Sequence, residues 1–152
     1  MDPVSRRELW EFLRELSGEG VAILVSTPYM DEVERCDRAG LLFEGRLLLS
    51  GSPGALLHEM KGEVILLISP DQHRARRLLD ENPVLWMGQE VYPVGEALHL
   101  IVENAGQSMP LIRPRLEKEG VSIQAMRKIP PTFEDLFISL IRKAGGNGSR
   151  PG

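Results

Sequence analysis

The run VAILVST, Val21 to Thr27, constrains the fold more than any other stretch of this chain. Unbroken apolar character over a strand's length predicts a β-strand buried on both faces, the situation of a strand inside a parallel sheet. Such a strand needs hydrogen-bonded neighbours on both edges and helices above and below. The sequence before it supplies one helix and no strand. Asp2-Pro3 opens that helix, with Asp as N-cap and Pro at the first helical position. Leu9, Phe12, Leu13 and Leu16 then fall at i, i+3, i+4 and i+7, giving an apolar face that ends at a glycine stop, Gly18. After Thr27 come a short helix from Met30 to about Asp37, two short runs turning near Glu44-Gly45, and a helix started by Ser52-Pro53. These pieces do not enclose VAILV, so residues 1–61 read as the end of a larger α/β domain, an α/β remnant with exposed strand edges.

From Gly62 the pattern changes. EVILLIS reads as a strand and Asp71 to Asn82 as a helix with Ala75, Leu78 and Leu79 inward. VLWMGQEVYPV and EALHLIVEN read as a hairpin around Gly95. Ser108 to Gly120 reads as a helix whose first turns are disturbed by Pro110 and Pro114. VSIQAMRKI alternates like a half-buried strand. The order βαββαβ predicts an α+β, ferredoxin-like domain over residues 62–144. Thr132 caps an extra C-terminal helix with Phe133, Leu136, Phe137, Leu140 and Ile141 on one face, more apolar surface than one sheet edge needs. Part of that face should therefore be shared with a second copy or with the N-terminal piece. Residues 145–152, ending GGNGSRPG, read as a disordered tail.

Composition excludes several classes. The net charge is −4, with 7 basic and 11 acidic residues in 1–61 and 11 of each in 62–152, so neither part is a nucleic-acid surface. One cysteine, Cys36, and three scattered histidines rule out a disulfide framework and a thiolate metal cluster, and suit a reducing, cytoplasmic setting. No apolar run approaches the roughly 20 residues that span a bilayer.

The segments DPVSRRELWEFLREL and VAILVSTPYMDEVERCDRAGLLFEGRLLLSGSP, with the ending PPTFEDLFISLIRK, resemble the C-terminal part of the ATP-binding subunit of an ABC transporter of the drug-exporter type. In that family a Leu-Asp-Pro D-loop leads a helix, and a buried strand ends in Ser-Thr-His, the switch histidine. A helix of the form Met-Asp-Glu-x-Glu-x-Cys-Asp-Arg follows. The ending is similar to that of the family's accessory C-terminal domain. The resemblance implies that Asp2 holds the D-loop position, near the interface of two nucleotide-binding domains. It implies that Pro28 stands where the switch histidine would be. A pyrrolidine ring has no donor and no titratable group with which to orient water at a γ-phosphate, although it also ends a strand easily.

Catalytic residues are accordingly expected to be none. The phosphate-binding pattern G-x-x-x-x-G-K-[ST] does not occur in the sequence, and the Walker B strand is expected upstream of Met1. ATP and Mg²⁺ are the cofactors of the full-length family, and no cofactor or metal is expected in this chain. LSGEG, Leu16 to Gly20, is similar to the family's signature but stands on the wrong side of the D-loop. The carboxylates Asp31, Glu32, Glu34 and Asp37 read as a solvated helix face that Arg35 and Arg38 can pair with, not as a metal site. His99, between Leu98 and Leu100, reads as a strand-face residue, and Cys36 as a helix-face residue without an activating partner.

Two functional classes follow. The favoured one is a catalytically incompetent C-terminal piece of an ABC ATP-binding subunit whose accessory domain serves dimer contact or regulation. Its expected partners are a second copy, the remaining ATPase chain and a membrane permease, with a cytoplasmic location, peripheral at the inner face of the membrane. The alternative is a free-standing ferredoxin-like module that binds a small molecule. A single-stranded RNA binder is disfavoured, because EVILLIS and EALHLIVE offer no aromatic platform for base stacking.

Overall fold

The computed structural model describes residues 2–145; of the disordered tail expected over residues 145–152, Gly145 caps the last helix with its N–H bonded to Ile141 O, and the rest lies outside the described residues. Helix α1, Pro3–Gly18, is capped by Asp2. Its end is set by Gly20, at φ +90°, with Val21 N donating to Leu16 O and Gly20 N to Ser17 O. That pattern is a Schellman motif, which needs its left-handed residue two positions beyond the expected stop at Gly18. The expected apolar face also differs. Leu9 and Phe12 are exposed, and Trp10 is the residue of α1 that is buried.

The largest departure concerns Val21 to Thr27, which forms no strand. Val21, Ile23 and Val25 are exposed, and Leu24 is 98% exposed. A strand is stable only when its N–H and C=O groups find a ladder, and here no neighbouring strand meets them. The segment Met30–Arg35 is a 3₁₀ turn, not an α-helix. Strands β1, Ala39–Phe43, and β2, Arg46–Gly51, form the expected hairpin. Its two-residue turn places Glu44 and Gly45 at φ 47° and 73°, the left-handed pair that matches strand twist. Helix α2, Pro53–His58, follows on a Ser52 cap.

The second half builds one antiparallel sheet from β3, Glu63–Ile68, β4, Gly88–Val94, β5, Ala97–Val102, and β6, Ala125–Ile129, in the order β4-β5-β3-β6. One face carries Ile65, Leu67, Val91, Leu98, Leu100 and Val102 under helices α3, Gln72–Glu81, and α4, Ala105–Lys118. Strand β6 starts four residues later than expected. Helix α4 starts earlier, at Ala105 on an Asn104 cap, and holds both prolines inside it. Pro110 and Pro114 leave the carbonyls of Gly106 and Pro110 without an amide donor. All three residues are exposed, so water can solvate those groups.

The expected strand VLW is instead a 3₁₀ turn, Pro83–Trp86. Trp86 is fully buried and donates Nε1–H to Leu79 O at 2.9 Å, which folds the segment under α3. Any Cβ at position 88 would lie 2.1 Å from the Trp86 ring, so only glycine lets β4 begin there.

The opposite face of the sheet presents Tyr92 and His99 to the last helix, α5, Phe133–Ala144. Asp135, fully buried, receives Tyr92 Oη–H, His99 Nδ1–H at 2.8 Å, Thr132 N–H at 2.7 Å and Thr132 Oγ1–H at 2.9 Å. Burial works against its charge, but the bonds from His99, Tyr92 and Thr132 outweigh burial and hold the carboxyl below its ordinary range, while burial and Asp135 push the Tyr92 phenol up. Farther along α5, Arg142 approaches Glu90 of β4 at 3.9 Å, while other residues of the helix build a separate core. Phe133 and Leu136 join Val33, Leu41 and Leu56 in a second core, with Met30, Leu49, Met60, Phe137 and Leu140 around it. The apolar face of α5 is thus shared with the N-terminal piece.

Two predictions follow from this packing. Asp135→Asn should destabilise the chain by about 2–4 kcal/mol at neutral pH, because charge-assisted bonds are lost in a buried site. A carboxylate whose folded pKa is depressed contributes stability above its unfolded value and loses it as pH falls through the folded one. The gap between wild type and variant in denaturant titrations should therefore close below about pH 4; a gap that widens on acidification would contradict the network. Ser108 has a buried hydroxyl without a hydrogen-bond partner. Ser108→Ala should be neutral or stabilising by up to about 1 kcal/mol, read as an unchanged or raised melting temperature.

Candidate functional site

The residues that the sequence singles out for chemistry, Asp2 and Pro28, lie at the two ends of the α1 unit. Asp2 is exposed, and its carboxylate is engaged by its own helix. Oδ1 accepts from Val4 N at 2.9 Å and Ser5 N at 3.1 Å, and Oδ2 from Ser5 Oγ at 2.7 Å. The Ser5 bonds hold this carboxyl below its ordinary value. Pro28 is exposed in the extended segment, bridged by a local bond from Tyr29 N to Thr27 Oγ1 at 3.1 Å.

Between them sits a cluster that sequence patterns did not expose. Arg6, on the second turn of α1, donates Nε–H to Glu32 Oε1 at 3.0 Å and approaches the same oxygen through Nη2 at 2.9 Å. Nη2 also reaches Asp31 Oδ2 at 3.3 Å. Trp10 Nε1–H, one turn on, donates to Glu32 Oε1 at 3.1 Å. The Arg6 guanidinium lies 4.3 Å over the Tyr29 ring, a cation–π stack. Burial opposes the charge of Glu32, and bonds from Thr27, Trp10 and Arg6 outweigh burial, leaving its carboxyl below the usual value.

This corrects the solvated-face expectation for the acidic run. Glu34 and Asp37 are exposed as expected, but Glu32 is buried, and the cation that meets it comes from Arg6 of α1, not from Arg35 or Arg38. A guanidinium already occupies the space between Asp31 and Glu32, so the pair offers no cation site. Among the described residues, no group of three or more metal-ligating side chains occurs. A hollow of about 180 Å³ lined by Pro3, Arg6, Arg7, Trp10, Asp31 and Arg35 opens beside the cluster.

The remaining candidates take structural positions. Cys36 is half-buried with Sγ 3.6 Å from Glu32 O, and burial together with Asp37 and Glu32 raises its thiol, the opposite of an activated nucleophile. His99 is a sheet-face residue, as expected, but a buried one paired with Asp135. Chemically, the N-terminal arrangement is a clamp. It holds the Thr27–Glu32 segment, with Pro28 in it, against the start of α1. Trp10 was the available signal, a large indole outside the apolar periodicity of its helix; Arg6 gave none.

Arg6→Ala should release this clamp. Removing the cation leaves a buried carboxylate with fewer donors and should lower the stability of the chain. The Glu32 carboxyl should titrate higher than in the wild type when followed by NMR, and Trp10 fluorescence should shift to the red; an unmoved Glu32 titration would contradict the assignment.

No family model matches the chain. Curated proteins do. It is 36% identical over 149 residues to the probable multidrug ABC transporter ATP-binding protein YbhF of Escherichia coli K12, covering 98% of this chain and 25% of that protein. It is 32% identical over 142 residues to the Nod factor export ATP-binding protein I of Rhizobium etli, covering 92% of this chain and 42% of that one. The corresponding protein of Burkholderia lata is 34% identical over 142 residues, covering 92% and 43%. The chain spans only 25% to 43% of the length of these relatives. Over nearly all of its own length, then, the chain is similar to part of curated ABC transporter ATP-binding proteins.

Proposed function

We propose that the chain acts as the C-terminal part of an ABC transporter ATP-binding subunit and is catalytically incompetent by itself. In this reading residues 1–61 complete a nucleotide-binding domain, and residues 62–144 form an accessory domain for dimer contact or regulation of transport. The observation that carries it is the exposed segment Val21 to Val25. A sequence made for a doubly buried strand lies open where its own chain provides no ladder. A nucleotide-binding core with parallel strands would provide one. Asp2 would then sit at the D-loop position, and Pro28 would replace the switch histidine at the end of that strand.

The second half supports the reading of a ferredoxin-like accessory domain. Its strands run antiparallel in the order β4-β5-β3-β6, with α3 and α4 on one face, the arrangement expected of a split βαβ unit. ATP and Mg²⁺ would be held by residues of the wider assembly. The partners would be a second ATP-binding subunit and a membrane permease, at the cytoplasmic face of a membrane. No described helix is long and apolar enough to cross one.

Calorimetry on this chain with ATP and Mg²⁺ should show no binding in the micromolar range and no turnover, and Pro28→His should leave both unchanged. A micromolar dissociation constant, or turnover restored by that one substitution, would overturn the reading. Thermal stabilisation of the chain by a small metabolite without ATP would favour a free-standing binding module instead.

A further inference from the structure

Two carboxylates fasten the N-terminal core to its neighbours. Asp135 holds α5 on β4 and β5, and Phe133 and Leu136 of that helix complete the N-terminal core. Glu32 holds the 3₁₀ segment on α1 through Arg6 and Trp10. Among the described residues the buried ionisable side chains are Glu32, Tyr92, His99 and Asp135, and all four sit at these two fastenings. The core between the sheet and helices α3 and α4 is built from apolar side chains instead. A carboxylate contact of that half, Glu63 with Lys128 and Ala105 N, lies at its rim.

Protonation changes what each fastening can do. Asp135 accepts from Tyr92, His99 and Thr132, and Thr132 N–H can only donate, as can a His99 imidazolium. The hydroxyls of Tyr92 and Thr132 can turn to accept an acid proton, but each then gives up the bond it now donates. Glu90 of β4 and Glu134 of α5 also act on Tyr92, and Arg142 meets Glu90. From β6, Arg127 shares the cross-strand row of Tyr92, His99 and Leu66, but it is exposed. A protonated Glu32 faces the Arg6 guanidinium and Trp10 Nε1–H, neither of which accepts a hydrogen bond. Around it, Asp31 shares Arg6, Cys36 lies against the Glu32 carbonyl, and Arg7 and Arg35 line the neighbouring hollow.

We propose that acid divides this molecule at its two buried carboxylates: α5 and the N-terminal core open together, while the four-stranded sheet stays folded under α3 and α4. Both carboxyls are held below their ordinary range, so the unfolded chain takes up these protons at higher pH than the folded one. The stability they contribute is therefore present above about pH 4 and is lost as pH falls through the folded values. Apolar burial between the sheet and its helices has no such dependence. The inference concerns how this chain is held together and stands whether or not the chain serves a transporter.

Acid titration of the full chain by NMR tests it without any variant, because each half holds one of the two tryptophans. Trp10 Nε1–H is bonded to Glu32 and Trp86 Nε1–H to Leu79 O. Below about pH 4 the Trp10 indole signal should move to its unfolded position and the amides of residues 136–140 should lose protection from exchange, in step with the carboxyl titrations of Glu32 and Asp135. The Trp86 indole and the amides of Ile65 and Leu100 should keep their folded positions. Repulsion among the cations left at low pH is the competing cause of opening, and about 0.5 M sodium chloride would screen it; the release should persist in that salt. At pH 7, Asp135→Asn should speed exchange of residues 136–140 on the order of tenfold or more relative to Ile65. One transition in which both indoles move together would overturn the proposal. So would folded Trp10 and α5 signals after both carboxyls have titrated, suppression of the release by salt, or an Asp135→Asn chain with wild-type protection in α5. Should that variant not fold, the wild-type titration decides alone.

Discussion

Asp135 is the side chain through which the two cores of this molecule are joined. A carboxylate with no exposed surface is tolerable only when its lone pairs are satisfied, and Asp135 meets that condition from two directions at once. Thr132 supplies the local half, a capping box that fixes the first turn of α5. Tyr92 and His99 supply the long-range half, from two adjacent strands paired across positions 92 and 99. The carboxylate therefore sets both where α5 begins and where it lies on the sheet. With that orientation fixed, Phe133 and Leu136 must face away from the polar contact, and the surface they meet is Val33, Leu41 and Leu56.

Different physics holds the two cores. Over the α3–α4 face the sheet is sealed by a continuous apolar layer, and β5 is buried along its whole length. The N-terminal core is smaller. It depends on α5 for two of its five buried residues, and on the clamp among Arg6, Trp10, Tyr29 and Glu32 to hold α1. Charged and polar contacts replace apolar area in that clamp, and the strand-like segment beside it makes no ladder. Local opening is easiest where few buried contacts cross, so the region of Val21 to Val25 is where this molecule has least to resist it.

How much of this was legible depended on the range of the interaction. Elements written in local chemistry were read correctly: the Asp2-Pro3 start, the Glu44-Gly45 turn, the Ser52 and Thr132 caps, and the succession of strands and helices from Gly62. The order βαββαβ could be read, but the pairing of β3 with both β5 and β6 is a long-range fact that sequence periodicity does not carry. Errors arose where tertiary contacts overrode a local pattern. VLW has the composition of a strand, yet Trp86 is drawn under α3. The periodic leucines of α1 suggested a core face, yet its neighbours bury Trp10. At the candidate site the roles given to Asp2 and Pro28 rest on motif order alone, while Arg6 and Glu32, 26 residues apart, had no signal to join them. VAILV departed from expectation for another reason: its pattern specifies a strand, and a strand is a property of the neighbours that pair with it.

The sequence reading divides the chain at Lys61-Gly62, but the packing crosses that point. Met60 and Leu56 precede that point and Phe133 to Leu140 follow it by some 70 residues, yet they share one core. Beneath the same helix, Asp135 is fixed to β4 and β5. Any displacement of the 3₁₀ segment or the β1–β2 hairpin must therefore move α5 or open the apolar contact. Any displacement of α5 must in turn break bonds to a buried carboxylate. Close-packed interfaces of this kind shift between discrete arrangements more readily than they deform. A change imposed on the N-terminal core, such as the arrival of strands beside Val21 to Val25, would reach the four-stranded sheet through one helix and one carboxylate.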